Sequence, residues 1–480
     1  MSRDLKNKFI YQLVISGTQV LLPLLTYPFI TRVLGPAAIG KINYVDFLSQ
    51  LFIVFAAFGI PMYGVREVAR LKDQPAGRAV VISELAIINI IFSLCAAAIF
   101  LLFTAKNWQQ DSVLYLLAAV NIIASAFSFE WFLQGTEAFR FSAIRTLLIR
   151  CLMIAAIFLL IKKPADYSTY FAIYTVAFLL IAILNSARLS AANMIVFKGL
   201  RPLRHLPALW HFFLTSSAIS IYFYFDAIIL QHLTHDNEAT GYYSFTLKMV
   251  RIFLLVILAL GTVLSPRVSY LVGNNKTTDA GHYLNRLLAF VVLLATPAAI
   301  GMMLLAPEII TVIAGPAFLP AVPVLRILAW LPLVVGINNV FCFQTLVPFK
   351  QEKKFLFAVL SGCVLSIGLN FLLIPALKES GAAIANICTE TAIAVISGLF
   401  ALKYHRFVIS RPLLWQTLIG CLLFIPVVAL CRYWMPAPLP VLLMAIPGCI
   451  GVYFIVLYSC KNELLTGLLS FMRNLQNRQF

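Results

Sequence analysis

The stretch at residues 26–40 reads TYPFITRVLGPAAIG and closes an apolar run that begins near Phe9. This run exceeds the roughly 20 residues that a helix needs to cross a membrane, and it is too long for the core of a cleaved signal peptide. Pro23 and Pro28 predict a bend within it, and Arg32 places a charge near its end. We therefore predict a bent first transmembrane helix. Arg32 is either an interfacial anchor or a contact at a cavity mouth.

The composition indicates that the whole chain is an integral membrane protein. Of its 480 residues, 62% are hydrophobic and 11% are charged, whereas soluble proteins average roughly 45–50% and about 25%. The net charge is +18, but the basic residues lie in short connections between apolar runs, which membrane topology explains. The sequence shows no nucleic-acid-binding motif, so we expect no nucleic-acid partner.

The apolar segments predict an all-α fold, a polytopic membrane bundle of about 14 transmembrane helices. The connections are too short to hold a folded extramembrane domain. The predicted helices lie near 10–34, 43–64, 80–103, 112–133, 141–161, 167–195, 209–232, 241–264, 284–306, 321–347, 355–376, 381–402, 412–432 and 439–460.

The basic residues fall mainly on one side of this arrangement. With the N-terminus in the cytoplasm, the inner segments hold 23 Lys and Arg residues and the outer segments hold 6. Cytoplasmic loops of membrane proteins are enriched in Lys and Arg. The bias therefore predicts that both termini are cytoplasmic, and it supports an even number of helices.

The chain also repeats a pattern after 201 residues. A glycine, an aromatic residue and an arginine recur in the same order: Gly40, Tyr44 and Arg66, then Gly241, Phe245 and Arg267. Six helices per copy keep both copies in one orientation, which suggests parallel repeats. The predicted layout is an N-terminal six-helix lobe at 1–197, a C-terminal six-helix lobe at 205–404, additional helices 13 and 14 at 411–461 and a cytoplasmic tail at 462–480.

Seven basic residues lie within predicted helices, where each costs about 2.5–3.5 kcal/mol at the membrane centre and is a functional candidate. Arg145 and Arg188 lie near inner helix ends, so their side chains either reach the headgroups or serve a site. At about 1.5 Å per residue, Arg150 lies roughly 14 Å deep and Arg251 roughly 15 Å deep. Lys248 shares a helix face with Arg251. The full set is Arg32, Arg145, Arg150, Arg188, Lys248, Arg251 and Arg326.

Five acidic residues also lie within predicted helices, namely Asp46, Glu84, Glu130, Asp226 and Glu390. Asp226 has a predicted depth in the membrane similar to that of Lys248. Two interpretations stay open: the two side chains neutralise each other, or Asp226 binds a coupling proton or Na⁺. Glu390 lies four residues after Asn386 on one helix face and is a second ion-coupling candidate.

Three pairs of motifs occur in a fixed order. RVLG at 32–35 precedes REVA at 66–69, DAIIL at 226–230 precedes GYYSFTLKMVRI at 241–252, and LNFLLIP at 369–375 precedes GAAIANICTE at 381–390. Together they resemble polysaccharide-export flippases of the Wzx type, within the multidrug/oligosaccharidyl-lipid/polysaccharide exporter superfamily. The resemblance covers predicted helices 1 to 12.

The resemblance implies a flippase of the bacterial cytoplasmic membrane that serves surface polysaccharide export. Its substrate would be an undecaprenyl-pyrophosphate-linked oligosaccharide, moved from the inner to the outer leaflet by alternating access. Fixed cations can offset the lost hydration of a pyrophosphate. The expected substrate-binding residues are Arg150, Lys248 and Arg251 first, then Arg32, Arg188 and Arg326, with Tyr222 and Tyr224 facing sugars unless they only pack. The expected partners are this substrate and membrane lipids, and further polysaccharide-assembly proteins stay open.

Two other function classes remain. A drug/cation antiporter of the same superfamily favours an acidic cavity, whereas the helices here hold seven basic and five acidic residues. A membrane polysaccharide polymerase or ligase needs a sizeable outer loop with catalytic basic residues, and the largest outer loops contain none. We expect no enzyme activity and no cofactor, since nucleophile constellations and ATP-binding motifs are missing from the sequence. We expect no metal site either, because His232 and His235 have no further ligand nearby in sequence and the nine cysteines include no CxxC pair.

Overall fold

The computed structural model describes residues 3–462. Within that range it does not describe the side chains at 3–10, 12–16, 19–24, 107–110, 215, 218–219, 221–223, 256, 259–260 and 262–263. The described chain is helical with short connections and contains no strand, so the all-α fold class is confirmed. It divides into two compact units, Met1–Gly241 and Tyr242–Phe480.

The first unit contains eight long or short α-helices and the start of a ninth. They are α1 (Arg3–Ala57), α2 (Ile60–Arg70), α3 (Pro75–Thr104), α4 (Trp108–Ser125), α5 (Glu130–Gly135), α6 (Phe139–Leu160), α7 (Tyr167–Ala191), α8 (Leu206–Thr234) and the first residues of α9 (Asn237–Gly273).

The second unit continues α9 and adds eight helices. They are α10 (Thr277–Leu304), α11 (Ala306–Ile313), α12 (Val322–Leu328), α13 (Leu331–Phe341), α14 (Glu352–Ala401), α15 (Arg411–Leu422), α16 (Phe424–Trp434) and α17 (Pro438–Ser459). A π-helical turn, Cys342–Leu346, follows α13.

In the described residues, ten helices are long and apolar enough to cross a membrane. One of them, α14, covers two predicted helices because its backbone breaks at Lys378 (φ 47°, ψ −125°). The close packing of its two arms leaves no room for a side chain at Gly381, where an added Cβ would lie 2.5 Å from the Leu373 carbonyl oxygen. The chain is thus a multi-pass bundle, and the count of fourteen helices stays a prediction.

The break in α1 falls at Gly35 (φ 76°, ψ 172°) and not at Pro23 or Pro28. A side chain would have open space at Gly35, so the backbone angles, and not crowding, require glycine there. Pro36 then begins the next helical arm, where its missing N–H costs no hydrogen bond. Arg32 ends the first arm and is exposed.

The seventh predicted helix, α8, clusters with the first unit because it packs along α1. The division at Gly241 therefore lies one helix beyond the predicted lobe limit at 197–205. In the second unit, α15, α16 and α17 pack on α10 and α11 through an apolar cluster. The Tyr453 hydroxyl donates to the Leu293 carbonyl oxygen at 2.8 Å inside that cluster.

Candidate functional site

One face of α6 lines a cavity of about 500 Å³ in the first unit, together with residues of α5 and α7. Residues 142, 145, 146, 149, 150 and 153 all contribute to the lining, and their spacing of three and four places them on one side of the helix. Two arginines and one carboxylate are among the described lining residues, beside Gln134, Thr146 and Tyr174. The cavity thus places two guanidinium groups and one carboxylate in a lining that is otherwise largely apolar.

Arg145 is held firmly on one side of this cavity. Its Nη2 donates to Glu130 Oε1 at 2.6 Å and to Thr146 Oγ1 at 3.1 Å, and its Nη1 donates to Asn185 Oδ1. The Arg145 side chain is 4% exposed, against 39% for Glu130. Asn185 also donates to the Ser128 carbonyl oxygen. Arg145 therefore does not reach the headgroups, because it belongs to a buried ion pair.

Arg150 follows Arg145 by five residues on α6, lines the same cavity and is partly buried. Its Nη1 donates to the hydroxyl of Thr18 on α1. The cavity therefore brings Arg150, a predicted substrate-binding residue, beside Arg145 and Tyr174. Its guanidinium reaches a neutral hydroxyl in a cavity that is large enough for an anionic group.

Arg188 lies outside this cavity. It is exposed near the end of α7, where its guanidinium is 5.7 Å from the ring centre of Phe141. Arg145 approaches the same ring at 5.9 Å. Cations attract the faces of aromatic rings, so Phe141 lies between two guanidinium groups.

The remaining predicted residues of the first unit lie on α1 and α8. Asp226 is 6% exposed on α8, and the ring of Tyr224 lies 5.7 Å from that of Phe47, a packing contact. The side chain of Tyr222 is outside the described residues.

The second unit holds Lys248 and Arg251 on α9, both partly buried. Arg326 on α12 is exposed. Glu390 on the second arm of α14 is 6% exposed, and Asn386 one turn before it is 7% exposed. Lys248 and Arg251 thus sit together, while Arg326 and Glu390 lie on other helices of this unit.

A cluster around Glu84 was not predicted as a unit. Glu84 is fully buried on α3, and its carboxylate accepts from the Arg201 backbone N–H at 2.6 Å and from Arg204 Nη2 at 2.6 Å. It also lies 2.8 Å from His205 Nε2, and His205 Nδ1 lies 2.8 Å from the Tyr63 hydroxyl. The carboxylate fixes the connection between α7 and α8 onto α3. The signals for this cluster in the sequence are an acidic residue within a predicted helix and three basic residues in one connection.

Among the described residues, no group of three or more His, Cys, Asp or Glu side chains could hold a metal ion. His232 and His235 lie with ring centres 6.2 Å apart at the end of α8.

Comparison with known proteins gives two family matches. A family described as polysaccharide biosynthesis protein matches residues 5–272, and the MatE family matches residues 212–372. Two relatives are both named "Putative O-antigen transporter". The one from Escherichia coli (strain K12) is 24% identical over 406 residues, covering 83% of this chain and 96% of the relative. The one from Shigella dysenteriae is 22% identical over 407 residues, covering 83% and 99%.

Solved structures give the same fold. "Lipid II flippase MurJ, inward closed conformation" aligns with a TM-score of 0.63 at 15% identity, covering 95% of this chain and 100% of that chain. An inward-facing multidrug resistance MATE family transporter of the MOP superfamily aligns with a TM-score of 0.63 at 12% identity, covering 80% and 94%.

Proposed function

Because the chain belongs to the polysaccharide biosynthesis protein family, we propose that it is a Wzx-type flippase. In this proposal it moves an undecaprenyl-pyrophosphate-linked oligosaccharide from the inner to the outer leaflet by alternating access. The two relatives named as O-antigen transporters support this substrate class. The polyprenyl tail stays in lipid while the charged headgroup crosses within the protein.

The observation that carries the proposal is the basic cavity on α6. A pyrophosphate loses most of its hydration when it enters a membrane interior, and this loss must be offset by fixed positive charge and hydrogen-bond donors. The cavity offers the Arg150 guanidinium among hydroxyl and amide groups. Arginine suits this role, because its planar fork binds two phosphate oxygens at once and stays charged at any physiological pH.

Lys248 and Arg251 on α9 are proposed as further cations that bind the pyrophosphate. They are three residues apart, so both side chains leave the helix on one face. Arg32, Arg188 and Arg326 are exposed and serve in this proposal at the entry and exit of the pathway. Tyr224 and Tyr222 are proposed as faces for sugar rings.

Asp226 and Glu390 are proposed as the sites that couple transport to a proton or Na⁺ gradient. Both are 6% exposed, and a carboxylate buried within a transmembrane helix is a recurring element of ion relays. Asp226→Asn separates coupling from structural pairing. Transport that no longer responds to a gradient, at unchanged protein level, supports coupling, whereas loss of the folded protein supports pairing.

We place the chain in the bacterial cytoplasmic membrane with both termini in the cytoplasm. The 23 inner and 6 outer basic residues support this orientation. The proposed layout keeps fourteen helices, with lobes at 1–197 and 205–404 related as parallel repeats, helices 13 and 14 at 411–461 and a cytoplasmic tail at 462–480.

A drug/cation antiporter is the second candidate, since the MatE match spans residues 212–372. A cationic drug gains from an acidic cavity and is repelled by a basic one. The cavity on α6 holds two guanidinium groups and one carboxylate among its described lining residues. This charge balance favours an anionic substrate.

A reconstituted flip assay tests the proposal. The purified chain is placed in liposomes with labelled undecaprenyl-pyrophosphate-linked oligosaccharide, and an impermeant hydrolase reports the substrate that reaches the exposed leaflet. We expect protein-dependent exposure that is lost in Arg150→Gln and in Arg251→Gln. Lys198→Gln is a matched control, because Lys198 is exposed in the connection before α8. No exposure by a folded preparation that takes up a cationic dye would move the assignment to the antiporter.

A further inference from the structure

A second and larger cavity of about 800 Å³ lies in the first unit, on the predicted outer side. It is formed by the second arm of α1, the end of α3, the start of α4 and the turn between α8 and α9. Its volume is within the roughly 300–1,000 Å³ that ligand sites occupy. The proposed transport function has not used any of its residues.

The charges of this outer cavity do not cancel. Lys41 Nζ lies 2.9 Å from Asp111 Oδ2, and the Tyr167 hydroxyl donates to Asp111 Oδ1 at 2.8 Å. The Asp111 carboxylate is thereby satisfied by its own neighbours. Lys106 and two imidazoles, those of His232 and His235, also line the cavity. The side chains of all three are exposed, and in the described lining the basic side chains outnumber the one carboxylate.

The rest of the lining suits a sugar ring. Gln231 and Asn237 provide side-chain amides and are held in place, since Gln231 Nε2 donates to Asn237 Oδ1 at 3.1 Å and Thr240 Oγ1 donates to Gln231 Oε1 at 2.8 Å. The partly buried ring of Tyr44 provides aromatic surface beside them. Fixed amides can bond vicinal hydroxyls, while aromatic rings pack on the C–H face of a sugar.

We propose that this outer cavity binds an acidic sugar residue, one that bears a carboxylate. The inference rests on the proposed function, in which an oligosaccharide emerges on this side. Lys106 and the imidazoles of His232 and His235 would bind the carboxylate, and the two amides and Tyr44 would hold the ring. A simple phosphate would use only the basic residues, because it has neither a ring face nor vicinal hydroxyls.

Calorimetric titration of the full chain in nanodiscs tests this inference directly. The probes are digalacturonate, the neutral disaccharide maltose and inorganic phosphate. We expect digalacturonate to bind at least tenfold more tightly than maltose or phosphate. The variant Lys106→Gln/His232→Gln/His235→Gln should weaken digalacturonate binding at least tenfold. Lys162→Gln, which removes one exposed charge from a connection on the same predicted side but outside the cavity, should leave binding unchanged.

Several results would overturn the inference. These are equal affinity for digalacturonate and maltose, equal affinity for phosphate, unchanged binding in the triple variant at an unchanged unfolding temperature, or no binding at millimolar concentration. The assay needs neither a gradient nor a lipid-linked substrate. Flipping without digalacturonate binding therefore refutes only this inference, and digalacturonate binding without flipping refutes only the proposed function.

Discussion

Arg145 and Arg150 line the same cavity, yet we expect substitution by glutamine to affect mainly stability at Arg145 and mainly transport at Arg150. Arg145→Gln removes a guanidinium that is 4% exposed and paired with Glu130 at 2.6 Å. Breaking a buried ion pair costs about 3–5 kcal/mol. Because Glu130 is 39% exposed, water compensates part of its loss, and we expect about 3 kcal/mol. Arg150→Gln loses at least its hydrogen bond to Thr18, which is worth about 1 kcal/mol.

The assay is reversible denaturant unfolding of each variant in detergent, followed by tryptophan fluorescence, beside the flip assay. Glu130→Gln completes a double-mutant cycle with Arg145→Gln. The double variant leaves neither charge buried alone, so it should be more stable than the sum of the single effects predicts, by about 1–3 kcal/mol. Arg150→Gln should still fold and unfold reversibly, and it should fail to transport.

If the effects of the single changes at Arg145 and Glu130 on the free energy of unfolding are additive, the ion pair contributes nothing to stability. The same conclusion follows if Arg145→Gln unfolds like the wild type. Normal transport by Arg150→Gln would show that the cavity on α6 is not part of the substrate pathway.

Three further predictions concern stability. Gly40→Ala should destabilise the chain by at least about 1–3 kcal/mol, because an added Cβ would lie 1.8 Å from the Asn237 carbonyl oxygen. Gly301→Ala is the control, because a Cβ added at Gly301 has no neighbour within 4 Å, and it should stabilise α10 by about 0.5–1 kcal/mol. Equal effects of the two changes in denaturant unfolding would show that Gly40 is not crowded. Arg432→Gln loses both hydrogen bonds to Glu308, at 2.6 and 2.9 Å, and should lower the unfolding temperature because α16 is then held less tightly to α11. An unchanged unfolding temperature would show that this ion pair does not contribute to stability. Burial lowers the pKa of His405, so the unfolded chain binds a proton there more readily, and stability should fall as the pH drops below about 6.5. In unfolding measurements from pH 8 to 5.5, stability should fall less in His405→Asn than in the wild type. An identical fall would show that another group causes the effect.

The positions of the long helices were predictable because the lengths of the apolar segments can be read directly from the sequence. The ends of the predicted segments 80–103 and 141–161 lie within one to five residues of the ends of α3 (Pro75–Thr104) and α6 (Phe139–Leu160). Breaks were less predictable. The segment at 112–133 is two helices, α4 and α5, separated by Phe129 with φ of 42°. Aromatic residues rarely adopt a positive φ, so no local pattern predicts an interruption there.

The candidate site was predictable only in part, because depth along a helix does not tell which way a side chain faces. Arg145 and Arg188 look alike in sequence, each near an inner helix end. Arg188 is exposed, whereas Arg145 turns inward to Glu130, which lies 15 residues earlier across a turn. The pairing of Lys41 with Asp111 spans 70 residues. Such contacts depend on tertiary packing that periodicity does not encode.

Charges placed within these helices fall into two groups, and the distinction indicates where a substrate would bind. The Glu130 carboxylate already neutralises Arg145, so an incoming phosphate would have to displace it and would gain little. Glu84 is likewise occupied by Arg204 and His205. A transported anion instead gains most from a cation that fixed carboxylates leave accessible within a polar cavity. The cavity on α6 contains Arg150, and the Glu130 carboxylate in its described lining is bound to Arg145. The same comparison distinguishes Lys106 from Lys41, whose charge Asp111 already offsets in the outer cavity.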